Sequence, residues 1–320
     1  MFSLVQKRRY YFLLSAAIIV PGILIMLFSL VTTGSLFQLS TDFVGGSIYE
    51  LRFLEDGATE ATIRAVFERN GDSDLTIQRI GDPAQYRWSV RASFHDQEVS
   101  SAIISGLNEL APLDEGSLRI EQVSAAVGQE VTQAALVAVF VAALVVTGFI
   151  VLAFRQVPNA LRYGLCAIAA MIHDVLIVCG IMSFAGLIGG WEVDALFLTA
   201  VLTVVGFSVQ DTIVIFDRIR ENIPKHIGEP YETIANRSVL ETIHRSLATQ
   251  LNAFFIMIAI LLFGGESVKQ FIFILFVGLL SGTYSSIFVA VPLLVAWEKG
   301  ELPWNRRVPP LGTPQAQVGG

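Results

Sequence analysis

The sequence predicts a polytopic α-helical membrane protein: six transmembrane helices, with a small α+β domain inserted between the first and the second. Three observations predict it. Hydrophobic residues fill 53% of the 320 positions and charged residues only 15%, where soluble domains carry roughly 25% charged residues; mean hydropathy is +0.63. Six runs are long enough to supply the roughly 20 apolar residues that cross a hydrocarbon core. Charge is also segregated. Gly34–Glu130 holds 7 of the 21 basic and 16 of the 28 acidic residues, a local net of −9, and the remaining positions net +2. A lone soluble globule, a disordered chain and a collagen-like repeat are excluded. With no basic stripe to release counterions, so is nucleic-acid binding.

The first run, Tyr10–Thr32, follows Lys7, Arg8 and Arg9. It exceeds a signal-peptide core and no Ala-x-Ala site follows, so it is expected to stay as a span. Pro21 and Gly22 predict a kink, which neighbouring helices can satisfy. Ser47–Phe53 then alternates as a strand. Ala58–Asn70 places Ile63, Val66 and Phe67 on one helical face and ends at Gly71. Leu75–Ile80 and Tyr86–Ala92 alternate on either side of Gly81-Asp82-Pro83, a hairpin with turn residues. Asp96–Leu110 repeats Val99, Ile103, Ile104 and Leu107 at helical spacing, and Leu118–Val123 returns as a strand. The order β-α-β-β-α-β is the ferredoxin-like arrangement, which hosts many functions and argues for none. Five further spans follow: Val131–Phe154, Tyr163–Gly186, Ala195–Phe216, Leu240–Phe263 and Phe271–Ala296.

Lysine and arginine set the orientation. One set of ends carries Lys7, Arg8, Arg9, Arg155, Arg162, Arg218, Arg220, Lys225, Arg237, Lys299, Arg306 and Arg307, while the opposite short loops carry only Lys269. Both termini are therefore expected in the cytoplasm and the acidic domain outside it. The expected organisation is residues 1–33 as a cytoplasmic N-terminus with the first span, 34–130 as the exported domain, 131–297 as a five-helix bundle, and 298–320 as a polar, proline-rich tail without order. Cys166 and Cys179 fall in one span, about 20 Å apart on a helix and beyond disulfide reach, and read as small apolar packers.

Ionisable residues inside spans are rare and usually face a bundle interior, where they mark ion or substrate paths. Four carry the argument here: His173 and Asp174 in the third span, Asp211 in the fourth and Arg245 in the fifth. Asp174 lies about 11 residues into its span, near the mid-plane. Asp211 and Arg245 each lie 17 residues from Gly228 in the intervening loop, so an antiparallel helix pair brings them to similar depth. Desolvation favours a neutral acid and a nearby guanidinium favours the carboxylate, so such a pair can cycle protons. A static ion pair fixing helix register is the bland alternative. His173 is first of all a hydrogen-bond partner for Asp174. Ser208, Gln210, Thr212, Gln250 and Asn252 suit helix–helix hydrogen bonds as well as a water path, and Gly278 with Gly282 suits close packing. No phosphate-binding G-x-x-x-x-G-K-[ST], no zinc spacing and no G-x-S-x-G nucleophile elbow occurs, so energy use is expected to draw on an ion gradient rather than on ATP, a metal or another cofactor.

Five stretches resemble the SecF family of the bacterial Sec protein-export machinery. Residues 206–222, running from Gly206-Phe207-Ser208-Val209-Gln210-Asp211-Thr212 to Arg220-Glu221-Asn222, are similar to its fourth-span signature. Asp42-Phe43-Val44-Gly45-Gly46 resembles the junction motif after its first span, and Ser124-Ala125-Ala126-Val127-Gly128 the lead into its second. His173-Asp174-Val175 and Thr242-Ile243-His244-Arg245-Ser246-Leu247 resemble its third-span and fifth-span motifs. The resemblance runs from about Thr41 to Trp297. Phe207, Val44 and Ile172 depart from the usual Tyr, Thr and Ala.

The resemblance implies a non-enzymatic subunit in the bacterial inner membrane, of the resistance-nodulation-division superfamily. It implies pairing with a SecD-like subunit and use of the proton gradient to help pull unfolded polypeptides through the SecYEG channel. The family's essential intramembrane Asp and Arg fall on Asp211 and Arg245, the expected relay. Asp174 and His173 stand as a secondary relay, and Asp42, Gly45 and Gly46 as the junction motif. Two rivals come from other classes. A half-transporter for small molecules or lipids shares the relay but needs larger exported domains, and about 95 residues leave little room for a drug-sized pocket. A diaspartyl membrane protease on Asp174 and Asp211 lacks the expected Gly-x-Gly-Asp.

Overall fold

The structure, a computed structural model, describes residues 4–73, 75–154 and 160–302. Arg155, Arg306 and Arg307 of the cationic set lie outside the described residues, as does the tail from residue 303 onward. The chain divides into two units. One comprises Met1–Phe37, Val141–Trp191 and Leu196–Gly320, the other Gln38–Phe140 with Glu192–Ala195.

In the smaller unit a one-turn helix α2 (Thr41–Val44) leads into β1 (Gly46–Arg52), α3 (Glu60–Arg69), β2 (Thr76–Arg79), β3 (Arg87–Ala92), α4 (Gln97–Leu110) and β4 (Arg119–Val123). The sheet order is β2-β3-β1-β4, every pair antiparallel, with Tyr49 opposite Val90 and Ile120. Alternation puts Tyr49 and Leu51 of β1 and Trp88, Val90 and Ala92 of β3 into one core with Ile63, Val66 and Phe67 of α3 and Ile103 and Leu107 of α4. This is the period of two meeting the period of 3.6 that the sequence spells out. Both helices start at side-chain caps: Thr59 and Thr62 close a reciprocal box, and Asp96 accepts from the Val99 N–H at 2.9 Å. The core admits one polar cluster, in which Tyr49 Oη lies 3.1 Å from His95 Nδ1 and His95 Nε2 lies 3.3 Å from Asp72. Arg91, outside that core, forms a two-pronged ion pair with Glu192. Burial pushes the Arg91 guanidinium below its usual value, but an arginine remains a cation and Glu192 balances it.

The larger unit is helical. Its elements are α1 (Arg8–Thr33), the second half of α5 (Ala125–Phe154), α6 (Ala160–Gly189), α7 (Ala195–Asn222), α8 (Tyr231–Phe263) and α9 (Glu266–Ser285), which continues through a π-helical turn, Ser286–Ala290, into α10 (Val291–Glu298). Among the described residues six helices are long and apolar enough to cross a membrane. α5 starts at Ala125, ahead of the apolar run at Val131, because Gly128, Gln129 and Glu130 interrupt hydropathy without interrupting backbone hydrogen bonding.

Small residues set the crossings. α1 continues through Pro21, and the adjacent Gly22 lies against Gly180 of α6 so closely that a Cβ on Gly180 would stand 2.8 Å from the Gly22 Cα. A Cβ on Gly278 would overlap Val204 Cγ2, and one on Gly282 would stand 3.4 Å from the Ser208 Cα, so this pair seats α9 on α7. An apolar core of Phe154, Tyr163, Cys166, Phe216, Ile219, Val239, Val291 and Leu294 ties α5, α6, α7, α8 and α10 together.

Candidate functional site

The antiparallel pair α7–α8 is held by polar ties, three of which set its register. Asn222 Nδ2 donates to Ser238 at 3.0 Å, Arg218 Nε to Glu241 at 2.6 Å, and Gln250 Nε2 to Asp211 Oδ2 at 2.6 Å. All three are centred close to Pro230: Asn222 and Ser238 each lie 8 residues from it, and Asp211 and Gln250 lie 19 and 20. The expectation of equal depth for Asp211 and Arg245 assumed a centre at Gly228. Because α8 starts at Tyr231, after the turn Pro224–His226 and the bend that follows it, the register is displaced. Arg245 falls level with Val214 and Ile215, about one turn, or about 6 Å, nearer the loop than Asp211.

Asp211 and Arg245 are therefore not joined in this structure. The Asp211 side chain is buried and, among the described residues, receives one side-chain hydrogen bond, from the equally buried Gln250. Arg245 is exposed. It has no ion pair among the described residues and lines a cleft of about 320 Å³ with Val214, Asp217, Arg218, Glu221, Glu241 and Thr242. The cleft holds two guanidiniums and three carboxylates, a polar environment in which a free cation is tolerated.

Asp174 is more enclosed still, at 1% exposure. Its Oδ1 accepts from Ser281 at 2.6 Å and lies 2.9 Å from His173 Nδ1; its Oδ2 accepts from Ser208 and Ser285, each at 2.6 Å. His173 Nε2 is in turn 2.9 Å from Ser15 Oγ of α1. This network joins α1, α6, α7 and α9. Ser208 and Asp211 lie one turn apart on α7, so the anchored Ser208 also fixes how α7 presents Asp211. Ser15, Ser281 and Ser285 escaped the sequence reading, since lone serines in spans are commonplace. The available signal was the Ser281/Ser285 spacing of four, interleaved with Gly278 and Gly282.

The junction motif lies in the smaller unit. Asp42 Oδ2 accepts from the Ala195 N–H at 3.1 Å. Gly45 has φ +82°, and a Cβ there would meet the Ala125 N and Cα at 2.9 Å; Gly46 has φ +127° and would meet the Ala92 carbonyl at 2.9 Å. Only glycine combines those backbone angles with that closeness. Among the described residues no group of three His, Cys, Asp or Glu is placed to hold a metal ion.

The family described as protein export membrane protein SecD/SecF, C-terminal, matches residues 103–300. The protein translocase subunit SecF of Anaerolinea thermophila is 43% identical over 304 residues, covering 94% of this chain and 96% of that protein. Its counterpart in Thermobaculum terrenum is 40% identical over 307 residues, covering 93% and 94%. The crystal structure of SecDF, a translocon-associated membrane protein from Thermus thermophilus, matches with a TM-score of 0.73 and 31% identity over 93% of this chain. The matched region makes up 39% of that longer SecDF polypeptide.

Proposed function

This chain belongs to the SecF family of protein translocase subunits, and from that membership we propose that it works with a SecD-like partner to couple the proton gradient to polypeptide export. In this reading the partner pair assists the SecYEG channel by drawing unfolded chains across the bacterial inner membrane. Asp211 carries the proton and Arg245 is its counter-charge. The half-transporter reading is not favoured, because the relatives matched along nearly their whole length are named protein translocase subunits.

One observation carries the assignment of the proton to Asp211: the unequal solvation of the two intramembrane carboxylates. Asp174 has three serine hydroxyls and an imidazole around its two oxygens, a shell that leaves neither oxygen without a partner. Among the described residues Asp211 has a single neutral partner. Asp174 and His173 are accordingly read as an anchor, with the secondary-relay role assigned to them from sequence held in reserve.

The finer topology belongs to the same proposal. Residues 34–130 are taken as the exported domain, with the ferredoxin-like arrangement supported by the strand order β2-β3-β1-β4 and two helices on one face. The remaining segments are 1–33, 131–297 and 298–320, with both termini cytoplasmic, as the lysine and arginine bias favours. Asp42, Gly45 and Gly46 shape the entry to the exported domain.

Export into proteoliposomes under an imposed proton gradient tests the relay. Asp211→Asn keeps shape and removes the titrating proton, so the gradient-driven stimulation is expected to vanish while the complex still assembles. Arg245→Lys restores it incompletely, because an ammonium offers no planar fork. Wild-type rates from Asp211→Asn would overturn the assignment and move attention to Asp174.

A further inference from the structure

Gln250 occupies the place against Asp211 where a guanidinium was expected. Both side chains are buried, and the contact between them is 2.6 Å. The two candidate partners on α8 differ in what they can bond. An arginine has donors only and can hydrogen-bond a carboxylate but not the proton of a carboxylic acid, whereas a carboxamide has donors at one corner and an acceptor at the other. Arg245 meanwhile lies about one turn, or about 6 Å along the helix, nearer the loop, where it lines the charged cleft without an ion pair among the described residues.

Resting on the reading of Asp211 as the proton carrier, we propose that Gln250 is a positioning residue for proton transfer. Its carboxamide is the resting partner of Asp211 in both protonation states. It donates through Nε2 to the carboxylate and, after a half-turn about its last side-chain bond, accepts through Oε1 from the acid. Arg245 competes with it for the charged form only. The exchange keeps a buried polar group satisfied at every stage, where arginine alone would leave the neutral acid facing a cation with no acceptor. No bond is made or broken besides the proton transfer itself. The other ionisable groups on the elements around this part of α7 are His173 and Asp174 of α6, His244 and Arg245 of α8 and Tyr284 of α9. Asp174 and His173 are bonded to each other and to serines, which leaves Arg245 as the competing charge.

The test follows the protonated-carboxyl infrared band of Asp211 against pH in the full chain co-purified with its SecD-like partner and reconstituted in lipid vesicles. The band is assigned by its loss in Asp211→Asn. Gln250→Leu removes the donor to the charged form, so the band should persist upward by about one pH unit or more. Gln250→Glu keeps the shape and places two carboxyls in contact, so the band should leave in two separated steps. Where Gln250→Leu fails to assemble, Gln250→Glu decides. Unshifted, single-step titration in the assembled variants would reduce Gln250 to a packing residue and overturn the proposal, with Asp211 still the carrier. Absence of any Asp211-dependent band that titrates in the unsubstituted complex would instead defeat the proton-carrier reading, and this proposal with it.

Discussion

Asp174 and Asp211 are the same residue type in the same kind of helix, and their surroundings differ. Asp174 collects donors from two other helices as well as its own; Asp211 has Gln250. Asp174→Ala would leave three serine hydroxyls and an imidazole without their acceptor in an apolar interior, a loss of about 3 kcal/mol or more of stability. Thermal inactivation of the purified complex should therefore come at clearly lower temperature, with Asp174→Asn falling between, because an amide keeps one acceptor. Asp211→Asn should scarcely move that temperature, since its single partner bonds an amide as well as an acid. Equal thermal sensitivity at the two positions would contradict the division of roles.

Single elements owe their placement to residues with little or no side chain. Gly278 and Gly282 let α9 approach α7 closely enough for Ser281 and Ser285 to reach Asp174, so the packing of one face creates the polar network on it. Gly45 holds φ +82° and ψ 172°, a region essentially closed to other residues. Gly45→Ala should cost the smaller unit about 1–3 kcal/mol from backbone strain, and more through the contact with Ala125. Amide hydrogen exchange in β1 and β4, compared between the two proteins, measures it; unchanged protection would mean that the junction relaxes freely. α5 shows the reverse condition. Only 6% of its most apolar stretch is buried within the chain, against 56% for α6, and Leu136, Phe140, Leu144 and Phe149 are exposed along it. Such a helix has lipid or another subunit for its surroundings.

Taken whole, the molecule is one part of a larger machine. It covers nearly the full length of its SecF relatives but 39% of the SecDF chain that carries the same fold. Co-expression with a SecD-like subunit should yield a stable complex through detergent extraction. In vesicles, gradient-driven proton movement should require both subunits. A monodisperse single chain that moves protons unaided would refute this.

Hydropathy, charge bias and periodicity are local quantities, and they located the six long apolar helices and, within about two residues, the six elements of the small domain. α5, α7 and α8 run six to nine residues beyond their apolar stretches, because backbone hydrogen bonding continues where hydropathy stops. They also picked out Asp174, Asp211 and Arg245, because the cost of an ionisable group in hydrocarbon is paid at its own position. The partners of those groups are not local. Whether Asp211 meets Arg245 or Gln250 depends on where α8 begins, and a centre at Pro230 rather than Gly228 shifts one helix past the other by about a turn. Likewise nothing in the spacing of Ser15, Ser208, Ser281 and Ser285 declares that they join one network around His173 and Asp174, since they lie on three different helices. Sequence alone thus determined which residues are costly in a membrane. Tertiary structure decided which of them are satisfied, because a hydrogen bond requires two atoms within about 3 Å and only helix packing brings atoms so far apart in the chain to that distance.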